Sequence, residues 1–509
     1  MFSRPILIAF FVTVTSAAVA VGVRGQPSKT LSADEQKKQA EVVLINNLIF
    51  EARSQTPEIA ADALIAIAES GKVRSLKLRR QILDQAFGLA SQAKYAVKIS
   101  YAGFTDNRVW AVYSPLELNL DKLSLRARVI GALLKFDKVR ARQLFLNEMP
   151  RDIDLPPLGC EEGQRYYDVS DYYQTASSVF NETFPLKERA EPAFVDVLLP
   201  FVNGMSSPSQ VNPIAKMLVD LKLRPSQLSF LAASYAQMLA RIRNDDFTFR
   251  RSILRYPGIK GFIEGAGETN RPEMVRAFRD YVLKQLNGTR CSEGIKRNLK
   301  NPLESKYELP GSIRALNNDL LKEKPIGPEE IDPENIVKSV PPPDYWDRSP
   351  KDSGRLDAAR RLRFGRDEQE LSKREKQKPE WLAELDKYLL ELGMWEADEE
   401  ETREDYFNKK SIILFALAES IVPRGAARDA ALKEYVLFLS RNELRGESRL
   451  QWFLHIKRNL FGDIVRQAKA GDREKTIEII RGVKNPTIDL YCDLLALKEE
   501  DKKSVNDQK

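Results

Sequence analysis

The chain has 509 residues, 43% of them hydrophobic, enough for the cores of two or three domains and too many for a disordered tail. Its 80 basic and 73 acidic residues leave a formal charge of +7, small beside either total, which argues for solubility and against a nucleic-acid partner. A single histidine excludes HExxH and multi-histidine metal sites and leaves a Ser-His-Asp triad only one residue to recruit, and the absence of CxxC, GxSxG, GxGxxG and a Walker loop removes further enzyme classes.

Residues 1–25 read as an export signal. Arg4 supplies the positive start, Ile6 to Val23 is uncharged and mostly apolar, and cleavage is expected after Ala20 or, preferred here, after Gly25. Loss of Arg4 and Arg24 takes the charge from +7 to +5 (7 − 2). Left uncleaved, the same run is about 27 Å long as a helix and forms a membrane anchor, the one way in which a membrane becomes a partner. Either way the body is expected outside the cytoplasm, periplasmic or extracellular.

From Leu31 the apolar residues recur at three- and four-residue spacing, which predicts an all-α fold. Ser32 with Glu35 forms a capping box, Pro57 opens a helix ending at Ser70-Gly71, and a third helix runs from Ser75 to Ala90. Further helices are expected over Lys122–Lys135, Asp137–Asn147, Val169–Phe180, Leu186–Phe201, Pro208–Leu221, Pro225–Arg243 and Pro272–Leu286. Tyr95 to Leu120, with alternating Tyr95, Val97, Ile99 and Tyr101 and a β-prone stretch from Val109 to Tyr113, reads as a short hairpin or an ordered loop.

Asn301 to Pro350 holds nine of the 27 prolines and reads as a linker, with one helix over Ser312–Lys322. Beyond it, nine basic and five acidic residues between Gly354 and Lys378, then seven carboxylates from Glu396 to Asp405, suggest two facing, oppositely charged surfaces. Helices follow over Trp381–Leu392, Tyr406–Ile421, Ala426–Leu439, Arg449–Ala468, Arg473–Arg481 and Ile488–Leu497. The domain organisation expected is therefore a signal peptide (1–25), an N-terminal helical array (26–300), a proline-rich linker (301–353), a C-terminal helical domain (354–500) and a disordered tail (501–509). Within each domain an antiparallel array of helical hairpins, α-solenoid-like, is the expected architecture.

Leu125 to Met149, with Ala132, Ala141 and Phe145, resembles part of a tetratricopeptide unit, although the Trp, Gly and Tyr positions of that repeat are not filled. In overall texture the chain resembles uncharacterised exported bacterial α-helical proteins with tetratricopeptide-like hairpins. That resemblance implies a helical array and export, and no activity.

Three cysteines in an oxidising compartment suggest one disulfide. Cys160 and Cys291, each in a turn-rich stretch, are the expected pair, whereas Cys492 lies in a helical pattern. The alternative leaves Cys160 and Cys291 unbridged.

Candidate binding residues lie in one unusual stretch: Tyr166, Tyr167, Asp168, Asp171, Tyr172 and Tyr173. Tyrosine offers a flat apolar face with a polar tip, suited to a sugar or a peptide. The same residues also fit a helix start, with Asp168 or Ser170 as cap and the rings packed on neighbours. His455 fits a packed or surface imidazole. Ser91 and Lys94 have SxxK spacing without its KTG or SDN partners. The Glu-Ser pairs at 69, 304, 419 and 447 lack the downstream Gly-Leu-Met-Gln of lytic transglycosylases. The expectation is an exported helical binding or scaffold protein without cofactor or catalytic residues, its partner a protein or a glycan. The alternative is a wall-glycan hydrolase using Glu419, or Asp168 with Asp171.

Overall fold

The structure is a computed structural model that describes residues 32–101, 117–158, 165–245, 248–249, 256–288, 311–331, 346, 350–365, 369–399, 401–468 and 470–506. The leader, Val109–Tyr113, Cys160, Cys291 and 301–310 lie outside the described residues. The chain divides into two compact units, 1–44 and 45–509. The described residues are overwhelmingly helical, so the fold is all-α.

The N-terminal helices are α1 (Ala33–Arg53), α2 (Pro57–Glu69), α3 (Leu76–Ala90), α4 (Lys122–Leu134), α5 (Lys138–Glu148) and α6 (Ser170–Thr183). Next come α7 (Leu186–Arg189), α8 (Phe194–Asn203), α9 (Pro208–Asp220), α10 (Pro225–Arg241), α11 (Pro257–Gly265) and α12 (Arg271–Leu286). Their starts are set by side chains that accept the first orphan amides. Ser32 and Glu35 close their capping box. Ser75, Asp121 and Asp137 accept from the amides of Leu78, Ser124 and Arg140. Proline stands at the first turn of α2, α9, α10 and α11, where its missing N–H costs nothing.

Leu186–Phe201 is not one helix. Pro192 has no N–H for the carbonyl of Glu188, so α7 stops at Arg189 and α8 starts afresh at Phe194. Among the described residues of 95–120, the short strand β1 (Ile99–Tyr101) pairs antiparallel with β2 (Arg165–Tyr167), aligning Ser100 with Tyr166. The proline-rich segment contains α13 (Gly311–Asp319), and Ile313, Leu316, Leu321, Ile326 and Trp346 are buried. Arg279 of α12 holds it through Glu330 at 2.6 Å and the carbonyl of Lys324 at 2.9 Å.

The C-terminal helices are α14 (Pro350–Phe364), α15 (Pro379–Gly393), α16 (Arg403–Ala416), α17 (Ala426–Arg441), α18 (Arg449–Leu454), α19 (Ala470–Arg481) and α20 (Pro486–Asn506). Two π-helical runs interrupt them, π1 (Leu417–Ile421) after α16 and π2 (His455–Val465) after α18. Residues 501–506, expected in a disordered tail, instead continue α20, in keeping with a sequence rich in the helix formers Lys and Glu. The acidic stretch 396–405 meets basic neighbours at particular pairs, not as a helical face. Lys409 bridges Asp352 at 2.5 Å and Glu401 at 2.8 Å, all three buried.

The second unit, 45–509, holds helices from both halves of the chain. α20 and π2 reach α2 directly: Thr487 donates to Gln55 at 2.8 Å, and Lys457 and Tyr491 both contact Asp62.

Candidate binding groove

The six residues singled out in the sequence do not share one surface. Tyr172 and Tyr173 are each 1% exposed. Tyr172 stacks on Phe145 with ring centroids 6.0 Å apart, meets Tyr173 edge-on at 4.9 Å, and donates its hydroxyl to the carbonyl of Pro150. Tyr173 accepts from Gln210 Nε2 at 3.2 Å. Burial raises both phenols well above the ordinary tyrosine range, so neither is an acid or base near neutrality. These two are core residues, and the expectation that they form a ligand surface is corrected by their burial.

Tyr166 and Tyr167 are half-buried on β2, where the Tyr167 carbonyl accepts from Ser209 Oγ at 2.7 Å. Asp168 accepts from the Ser170 amide at 3.1 Å, a capping contact at the start of α6, and pairs with Lys98 at 3.2 Å. Burial alone pushes its carboxyl upward, but Lys98 and Ser170 outweigh it and hold it below the usual range. Asp171 alone of the six is exposed, on the outer face of α6.

Asp171 opens onto a groove of about 370 Å³ between α4 and α6. Arg128, Gly131 and Lys135 line it from α4, and Gln174 and Ser178 continue the wall from α6. The residues recur every three or four positions on both helices, so each helix presents one face. A Cβ at Gly131 would meet nothing within 4 Å, and the groove floor there is open.

Arg128 is the fixed cation of this groove. Its side chain is 32% exposed, while Nη1 pairs with Asp62 Oδ1 at 2.7 Å. The same carboxylate takes Lys457 Nζ at 2.6 Å and the hydroxyl of Tyr491 at 2.5 Å. Burial favours the neutral acid at Asp62, yet Lys457 and Arg128 prevail and hold it well below the usual carboxylate range. Desolvation opposes the charge of Arg128, and Asp62 more than restores it. The guanidinium is therefore anchored from behind and charged at its groove side.

His455 is buried in π2, with Nδ1 3.0 Å from both the Tyr435 hydroxyl and Asn459 Nδ2, and Phe407 lies edge-on at 5.4 Å. Burial lowers its pKa to about 3, so the imidazole is neutral and packed. Ser91 donates to the Phe87 carbonyl at 3.0 Å and accepts from Arg126 Nε at 3.2 Å, both contacts at the end of α3. Glu419 sits half-buried in π1. Cys492 is buried, with its thiol pushed up to about 12 by burial. Among the described residues no cluster of His, Cys, Asp or Glu could hold a metal, and no helix is long and apolar enough to cross a membrane.

Sequence reasoning missed Arg128 and the Asp62 cluster behind it. The small and polar stripe of α6, from Asp171 through Gln174 to Ser178, was the legible signal. The chain matches no protein-family model, no curated protein and no solved structure.

Proposed function

We infer that the chain is an exported helical binding protein whose α4–α6 groove receives a carboxylate-bearing segment of a partner protein. The observation that carries this reading is the partly exposed Arg128 side chain, held in place by Asp62 and set in an open groove walled by hydrogen-bonding side chains. A preorganised guanidinium loses little freedom when it takes up a carboxylate in two parallel hydrogen bonds. Among the described residues no tyrosine ring lines the groove, which favours a peptide over a sugar stacked on aromatic faces.

Export rests on the leader read in residues 1–25. In an oxidising compartment Cys160 and Cys291 form the expected bridge, and Cys492 stays a buried thiol. The hydrolase alternative finds little support in this groove. Its carboxylates Asp171 and Glu182 stand eleven residues apart on one helix, about 16 Å along the axis, against at most about 10 Å for a catalytic pair.

The test is binding of a peptide library, with acidic and carboxy-terminal members, beside a panel of wall glycans. Gly131→Leu fills the groove floor without touching the core. Retention of acidic peptides by the wild type and their loss in Gly131→Leu supports the proposal. Peptide binding indifferent to Gly131→Leu, or retention of glycans alone, overturns it.

A further inference from the structure

Two consecutive lysines on α16 have opposite surroundings. Lys409 is enclosed by the carboxylates of Asp352 and Glu401, which raise its pKa against the cost of burial. Lys410, only 7% exposed, has no carboxylate of the described residues within 4.0 Å of its Nζ. Its nitrogen donates to the Trp395 carbonyl at 2.8 Å and to the Tyr406 hydroxyl at 3.0 Å, between the rings of Tyr406 and Phe438 at 5.4 and 5.2 Å.

The amine lies in a cleft of about 140 Å³ between α15, α16 and α17. Leu389, Leu414 and Phe438 give it apolar walls, and Glu434, Arg441 and Asn442 supply its polar groups, with Arg441 exposed at the mouth. At about 30 Å³ per water-sized unit, this is room for about four or five such units, the scale of a small carbonyl compound. Burial lowers the Lys410 pKa, Arg355 of α14 lowers it further, and Glu434 of α17 and Glu396 oppose them, leaving it at about 8. About a quarter of the amine is then neutral at pH 7.5, against about one part in a thousand at the ordinary 10.5.

We propose that Lys410 is a covalent carbonyl-binding site that condenses with a small 2-oxo acid, whose carboxylate is met by Arg441 at the cleft mouth. The Nζ lone pair adds to the carbonyl carbon, forming the C–N bond as the C=O π pair moves to oxygen. The proton released from nitrogen ends on that oxygen, giving a carbinolamine. The hydroxyl then leaves as water, taking the second proton of the nitrogen as the lone pair of nitrogen closes the C=N bond, so the imine forms with no change of oxidation state and no further reactant. Lys409, locked as an ammonium by two carboxylates, is excluded from the same reaction.

The experiment incubates the full-length protein with pyruvate and cyanoborohydride, which reduces the imine to a stable secondary amine, and maps the adduct by peptide mass spectrometry. Lys410 is expected to be modified about tenfold faster than the average lysine, with a rate rising through pH 8. Arg441→Ala should slow pyruvate trapping and leave trapping of the uncharged propanal at Lys410 unchanged. Wild-type protein modified at surface lysines but not at Lys410 overturns the proposal, whatever the folding of Lys410→Arg. Equal effects of Arg441→Ala on pyruvate and propanal overturn the assignment to a 2-oxo acid.

Discussion

The chain has one histidine, and it is buried, so the part of acid stability that an imidazole contributes comes from a single residue. His455 titrates at 6.5 in an unfolded chain and at about 3 in the fold. Between those values the unfolded state binds a proton that the folded state refuses, so stability falls as pH drops below 6.5 and the loss is complete near pH 3. From pH 7 to pH 5 the penalty is about 2 kcal/mol, because one pKa unit corresponds to about 1.4 kcal/mol and the folded imidazole stays neutral throughout. Other groups move in the same region. Glu51 and Asp489 are raised, by burial and by neighbouring carboxylates, and favour the fold as pH falls, whereas the depressed Asp62 loses stability only below the ordinary aspartate range. Comparison with His455→Asn cancels these shared contributions. Asparagine can place an oxygen near the position of Nδ1 for Tyr435 and Asn459, but it does not titrate. Urea unfolding at pH 7, 6 and 5 should show the wild type losing about 2 kcal/mol more than the variant. The histidine ring proton in an NMR titration should stay fixed over that range. A resonance moving with a midpoint near 6.5, or parallel pH slopes for the two proteins, would refute the reasoning.

Asp62→Asn leaves Arg128 and Lys457 facing each other without their shared counter-ion, and about 3–5 kcal/mol of stability should be lost, seen as a lower urea midpoint. Adding Lys457→Met to that variant should recover part of the loss, since it removes one of the two like charges that had shared Asp62. Gly131→Ala adds a methyl group where nothing lies within 4 Å and should stabilise by about 0.5–1 kcal/mol, read as a rise in Tm, through helix propensity alone. Cys492, fully buried with its thiol raised to about 12, should resist thiol reagents in the native protein and react at once in denaturant. Fast labelling of Cys492 without denaturant would contradict its burial.

Helix positions were legible wherever local chemistry decides them. Ser75, Asp121 and Asp137 announce α3, α4 and α5 because each cap lies within three residues of the amide it satisfies. Features set by distant residues were not legible. Tyr172 and Tyr173 point in different directions around α6, yet both are covered, because α6 packs against α4, α5 and α9. An alternating polar and aromatic text cannot report three-sided burial. The Asp62 cluster draws on positions 62, 128, 457 and 491, a constellation with no spacing to detect. Nor does helical periodicity distinguish an α turn from the π-helical run 455–465, whose apolar residues satisfy both.

That π-helical run is where α2 meets the C-terminal helices. Residues 455 and 457 are two positions apart, about 200° around an ordinary helix, so their side chains leave on opposite sides. His455 goes to Tyr435 of α17, and Lys457 goes to Asp62 of α2, which Arg128 of α4 and Tyr491 of α20 also hold. The segment is thereby clamped between C-terminal and N-terminal helices by buried polar contacts on both sides. Ionic contacts of this kind add little net stability over an apolar packing, but removal of one partner leaves the others uncompensated and is strongly destabilising. The same Asp62 that fixes this junction fixes the Arg128 guanidinium at the groove. Loosening of the C-terminal helices should therefore release Arg128 and weaken the groove's hold on a carboxylate, although the residues that line it among those described all lie along α4 and α6.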